Sequence, residues 1–169
     1  LKYGAGPGIR VILKLAPDAS FTWAKNFGGT FGAEPKDVTV DASGNVLMTG
    51  YAEGNPDFDP GPAVFRLKSN VTHDVVVMQL DINGNFSWAF NMASTGLSYY
   101  DNEGLSIVTD PDGSIYTAGI FSHVSDFDPG HCTFRLFADN GGWSIQKIRP
   151  GIATLCFNLQ PIAVAGCTG

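Results

Sequence analysis

The sequence predicts an all-β chain of β-propeller blades, and three observations carry that prediction. The pentapeptide Asp57-Phe58-Asp59-Pro60-Gly61 recurs unchanged as Asp126-Phe127-Asp128-Pro129-Gly130, and Phe65-Arg66-Leu67 recurs as Phe134-Arg135-Leu136 at the same offset of 69 residues. A second module, Val11–Leu15 followed by Phe21–Phe27, matches Val76–Leu80 followed by Phe86–Met92 at an offset of 65 residues. Between turn residues lie short runs of β-branched and aromatic side chains with no helical period. A unit of this size copied in tandem is a supersecondary module packed on its own copies. Four short antiparallel strands per copy make a propeller blade.

Taken in order, a third (C) and fourth (D) strand are expected near 9–15 and 21–27. First (A) and second (B) strands follow near 36–41 and 45–52, then C and D near 74–81 and 86–92. The next unit places A and B near 104–110 and 114–121 and a worn C and D near 143–148 and 153–159, with Leu155 in the Trp position; a last A lies near 161–165. The A–B connections, Asp41-Ala42-Ser43-Gly44-Asn45 and Asp110-Pro111-Asp112-Gly113-Ser114, set Asp at the turn entry to accept backbone amides and Gly where φ must be positive. Val38, Val40, Val46 and Tyr51, then Ile107, Val108, Ile115, Tyr116 and Phe121, suit a pleated surface. The stretches between B and C, 53–73 and 122–142, are insertions, each with a short apolar strand at Val64–Leu67 or Thr133–Leu136, and should project from one rim.

The Asp-x-x-Gly-Asn turns, the Asp-Phe-Asp-Pro-Gly element, the strand ending in Lys-Leu or Gln-Leu-Asp and the Phe-x-Trp-Ala strand together resemble the bacterial β-propeller repeat family known as SBBP. The resemblance spans nearly the whole chain. It implies a secreted or bacterial cell-surface protein, and it implies shape and location more than activity.

Residues 1–169 thus read as one propeller segment, with units at roughly 1–27 (partial), 28–92, 93–159 and 160–169 (partial), about two and a half blades. Propellers close with roughly four to eight blades. An incomplete propeller is therefore expected, its ring completed by self-association or by blades missing from a piece of a longer protein. The start at Leu1 in mid-blade and the stop at Gly169 inside an apparent A strand favour the latter.

Acidic residues outnumber basic ones 16 to 10, for a formal charge of −6, and Lys and Arg form no run. This argues against nucleic acid as a partner. Residues 152–166 are apolar but too short to cross a bilayer and are interrupted by Asn158 and Pro161, so no membrane span is expected. Cys132, Cys156 and Cys167 form no Cys-x-x-Cys pair; they read as buried small apolar residues, with a Cys156–Cys167 bridge open if the protein is exported.

Several side chains are candidate ligands. Asp57 with Asp59, and Asp126 with Asp128, each alternate with Phe and could seed a calcium site; calcium is the one cofactor considered, although it needs six to eight oxygens. The competing reading has Phe58 and Phe127 anchoring the insertions while Asp caps amides. Trp23 and Trp88 could stack on sugar, but their identical repeat position favours inter-blade packing. Tyr99, Tyr100, Asp101 and Glu103 lie in an inter-blade loop without counterparts and are the preferred ligand-binding candidates. His123, His131 and Cys132 fit no closed zinc motif, and Asn70-Val71-Thr72 is a bare glycosylation sequon. No nucleophile elbow, phosphate loop or His-Glu-x-x-His helix is present. The expected function is a non-catalytic extracellular scaffold or binding module for protein or glycan. The alternatives are part of a calcium-dependent propeller hydrolase or lyase, and a structural spacer of a large surface protein.

Overall fold

A computed structural model describes residues 10–27, 32–69, 73–95, 102–128, 133–149 and 160–161. Eleven strands follow in order: β1 (Arg10–Leu15), β2 (Phe21–Phe27), β3 (Ala33–Val40), β4 (Val46–Ala52), β5 (Asp74–Leu80), β6 (Phe86–Met92), β7 (Ser94–Thr95), β8 (Glu103–Thr109), β9 (Ile115–Asp126), β10 (Arg135–Ile148) and β11 (Gln160–Pro161). All pairings are antiparallel, and there is no helix among the described residues. β3-β4-β5-β6 form one four-stranded sheet in chain order, as a blade requires. β8, β9, β10 and β11, with the two-residue β7 also paired to β9, form the next, a five-stranded sheet, and β1-β2 is the C–D hairpin of the one before. Among the described residues the stack is not closed.

Blades pack face to face, and the strand period of two assigns side chains to the two sides. Val46, Met48, Val76, Met78 and Leu80 meet Trp23 and Phe27 of the first hairpin in one buried cluster. From the opposite face of the same sheet, Leu47, Val75, Val77, Phe90 and Met92 meet Ile107, Ile115, Phe121, Phe127 and Ile148 of the following blade in a second. The middle strands β4 and β5 are accordingly buried on both faces. Trp23 is the inter-blade residue its repeat position predicts: its Nε1 donates to the Ile82 carbonyl at 3.1 Å across the blade boundary.

Two glycines record where the first strand of a sheet presses closest on the second. A Cβ at Gly50 would lie 1.9 Å from the Glu34 carbonyl oxygen, and one at Gly119 would lie 2.2 Å from that of Glu103. Both carbonyls belong to bulged stretches, between Pro35 and Asp37 in β3 and between Gly104 and Ser106 in β8. The 69-residue repeat therefore preserves a bulge with its glycine as well as a turn.

The insertions differ from expectation in one copy. Asp57 bridges Arg66 in isolation, whereas the equivalent pair, Asp126 and Arg135, lies inside a long hairpin of β9 with β10. Glu53-Gly54-Asn55-Pro56 interrupts the first ladder, with Gly54 at φ 73° and Pro56 lacking a donor; Ser122-His123-Val124-Ser125 keeps the positive φ, at His123 (54°), and shifts register between Ala138 and Gly142, but has no Pro and resumes pairing. The short strand expected at Thr133–Leu136 is thus the start of the 14-residue β10. At the far end, Gln160 and Pro161 pair with Lys147 and Gln146, on the edge of β10 where the strand at 153–159 was expected. Residues 153–159 lie outside the described residues, as do most of the last A strand, Cys132, Cys156, Cys167, His131 and the sequon at Asn70.

Candidate functional site

The two rims of the blade stack are chemically unlike. Among the described residues one carries tight turns and a single ion-pair cluster, in which Arg149 pairs with Asp112, and Lys147 lies 3.9 Å from Asp110 and 5.0 Å over the Tyr116 ring. Asp41 Oδ1 accepts the amides of Ser43 and Asn45 at 2.8 and 2.9 Å, and Asp81 Oδ1 accepts those of Asn83 and Asn85, both at 2.8 Å. Asp110 likewise accepts Ser114 N–H at 2.8 Å. Gly44, Gly84 and Gly113 all have φ near 80°. The turn between β1 and β2 keeps the same backbone bonds, Ala16 N to Ser20 O and Ala19 N to Ala16 O, but with Ala19 at φ 65° in the glycine place.

The opposite rim gathers the starts of β1, β3, β5 and β8, the end of β4 and both insertions. Here Glu34 accepts from Lys36 Nζ at 3.0 Å and from the Tyr51 hydroxyl at 2.9 Å, with the Arg10 guanidinium 3.7 Å away. Lys36 also reaches Glu103 of the next blade at 3.6 Å and lies 5.3 Å over the Tyr51 ring, whose other neighbour is the His73 ring stacked at 3.8 Å. The Lys36 hydrogen bond, then that of Tyr51, hold the Glu34 carboxyl below its ordinary value. The same bond to Glu34 raises the Lys36 ammonium. Burial, then the hydrogen bond to Glu34, push the Tyr51 phenol up. Nearby, Asp37 crosses the blade boundary: Oδ2 accepts Ile107 N–H at 2.8 Å and Ser106 Oγ–H at 2.9 Å. Burial works to raise its carboxyl, but these bonds outweigh it and the pKa lies below the usual value.

A buried polar scaffold supports this rim. Asn102 donates to the His73 carbonyl at 2.9 Å and to Ser94 Oγ at 3.1 Å, and accepts Ser122 N–H at 2.7 Å. Asp74, fully buried, accepts from Ser94 N–H at 3.0 Å and Asn91 Nδ2 at 3.1 Å. Asn102 thereby ties Ser94 to the residue before β5 and to β9 at once.

Of the preferred ligand candidates, Glu103 belongs to this network, while Tyr99, Tyr100 and Asp101 lie outside the described residues. The first three residues of the doubled pentapeptide behave alike in both copies, and Pro129 and Gly130 lie outside the described residues. Asp57 Oδ1 accepts Asp59 and Phe65 amides at 3.1 and 3.0 Å; Asp126 Oδ1 accepts Asp128 and Phe134 amides at 3.1 and 2.9 Å. Asp59 Oδ1 accepts Gly61 N–H at 2.6 Å. Phe58 and Phe127 are buried in successive inter-blade cores, against Phe27 and Phe121 respectively. Each repeat thus uses its first Asp to shape the insertion and its Phe to plug it in place. Among the described residues no group of three or more His, Cys, Asp or Glu side chains could hold a metal ion.

Sequence reading missed Arg10, Glu34, Lys36, Tyr51 and His73. One signal was there, since Glu34 and Glu103 share the 69-residue offset. The link from Asp37 to Ser106 carried none, because equivalent positions hold different residues.

No family model matches the chain. An uncharacterized WD repeat-containing protein of Acanthamoeba polyphaga mimivirus is 22% identical over 122 residues, 64% of this chain. The chain spans about 8% of the length of that curated relative. This distant likeness agrees with repeated, propeller-like architecture.

Proposed function

We propose that the chain is a propeller-type binding module whose insertion-bearing rim receives a protein partner. The carrying observation is the contrast between the rims. Among the described residues one is formed by turns whose Asp side chains bind their own backbone, with Lys147 and Arg149 paired to those turns, while the other carries the insertions and displays Lys36, Glu34, Tyr51 and Glu103 on a buried polar scaffold. A rim fixed in this way loses little conformational freedom on binding, so modest contacts add up. The WD-repeat relative supports a protein-interaction role in general. SBBP-type identity, and with it a place outside the cell or on a bacterial surface, rests on the quoted repeat residues and the low charge content. On the same reading the module is non-catalytic, because the rim charges are spent on one another. A glycan is a less favoured ligand, since Trp23 is committed between blades.

The test compares two charge reversals during affinity capture from the native source. Lys36→Glu on the insertion rim should abolish recovery of a stoichiometric partner, and Lys25→Glu on the second strand should leave it intact. Equal recovery by both variants would overturn the assignment of the rim.

A further inference from the structure

Two apolar faces are left bare, and strand register shows them to be the two halves of one interface. β1 pairs with β2 as β5 pairs with β6, Lys14 opposite Trp23 and Gln79 opposite Trp88. Val11, Leu13 and Leu15 therefore stand where Val76, Met78 and Leu80 stand. The latter three are fully buried in the cluster with Trp23 and Phe27, whereas the former are 59%, 55% and 48% exposed. Phe21, in the Phe86 place, is 68% exposed.

The other end tells the complementary story. β10 pairs with β9 as β5 pairs with β4, Trp143 opposite Ile120 and Val75 opposite Tyr51. Trp143 and Ile145 thus occupy the places of Val75 and Val77, which are buried against Ile107, Ile115 and Phe121 of the following blade. Here they are 80% and 48% exposed. One face has the pattern that receives a preceding blade; the other has the pattern that receives a following one.

We propose that the chain associates head to tail with a second copy of itself, the Val11, Leu13, Leu15 and Phe21 face of one copy seating on the Trp143 and Ile145 face of the next. The contact continues the blade-on-blade interface that the molecule already builds twice within itself. It is heterologous, because the joined surfaces differ, so each bound copy keeps one face free. Assembly then proceeds until a ring closes or a filament grows. This association is independent of the partner proposed for the rim, since neither face includes the Lys36 network.

Sedimentation velocity with a complementation pair tests it. The unaltered chain should show mass rising with concentration from the micromolar to the millimolar range, with a blue shift of Trp143 fluorescence. Leu13→Glu and Trp143→Glu should each be monomeric alone with unchanged far-ultraviolet circular dichroism. Their equimolar mixture should give a 1:1 heterodimer and nothing larger, because each variant supplies the face that the other lacks. The milder pair Leu13→Gln and Ile145→Gln repeats the test if either glutamate variant is poorly folded. A monomeric unaltered chain, single variants that associate like it, or a folded pair that fails to combine would each overturn the proposal.

Discussion

Replacing Gln146 by Met should stabilise the protein, and the repeat itself supplies the reasoning. Gln146 lies opposite Thr117 in the ladder of β9 with β10, just as Met78 lies opposite Met48 in β4 with β5. Met48 and Met78 are both buried in an apolar cluster, yet the second blade keeps a buried Thr–Gln pair at the same place. Neither the Nε2 nor the Oε1 of Gln146 has a hydrogen-bond partner among the described residues. A buried polar group left without a partner costs roughly 1–3 kcal/mol. Met has nearly the volume of Gln, so the exchange removes that cost without overpacking. A gain of about 1–3 kcal/mol is expected, and a chain of this size shifts by about 2–4 °C per kcal/mol. Urea unfolding followed by circular dichroism should show a raised midpoint at unchanged slope. The mirror change, Met78→Gln, should lower the midpoint by a similar amount. A lowered or unmoved midpoint for Gln146→Met would show that the amide is satisfied and refute the argument.

Other outcomes follow from the same geometry. Gly50→Ala and Gly119→Ala should each destabilise by about 3 kcal/mol or more, at the upper end of overpacking, because the new methyl meets a backbone carbonyl; a loss below about 1 kcal/mol in thermal melts would contradict that close approach. Ala19→Gly should stabilise by up to roughly 1 kcal/mol in the same assay by relieving the positive φ of a non-glycine residue, and destabilisation would count against that backbone. The Asp37 and Glu34 carboxyls are both held below their ordinary values of 3.8 and 4.5 in the folded state. Their stabilisation is therefore complete at neutral pH and is lost as pH falls from about 4.5 through the depressed folded values. Urea midpoints measured across that range should fall less steeply for Asp37→Asn, and an identical slope would exclude Asp37 as a contributor.

The sequence announced the parts of this fold that depend on local chemistry. Asp41 and Asp110 with their glycines reveal the A–B turns, because a carboxylate accepting two amides and a residue at positive φ leave a readable signature. Phe58 and Phe127 were legible as plugs because the element around them is copied whole. What stayed hidden depends on tertiary meeting. The length of the β9–β10 hairpin goes with the lack of a Pro before Asp126, and the positive φ of His123 there has no glycine to announce it. The rim network joins Arg10, Glu34, Tyr51 and Glu103 from four strands, and beyond the 69-residue offset shared by Glu34 and Glu103 no spacing along the chain foretells that convergence.

Ser94 and Thr95 pair with Ser125 and Val124 of the next blade, and Asp126 N–H donates to the Ala93 carbonyl at 2.9 Å. Main-chain bonds therefore stitch one repeat into its successor, beyond what side-chain packing supplies. In a linear array, the strength of such nearest-neighbour coupling decides whether units melt singly or as a block. Slow hydrogen exchange shared by the amides of β5 and the outer half of β9 would be its signature, and these two repeats would then lose their structure in a single cooperative event.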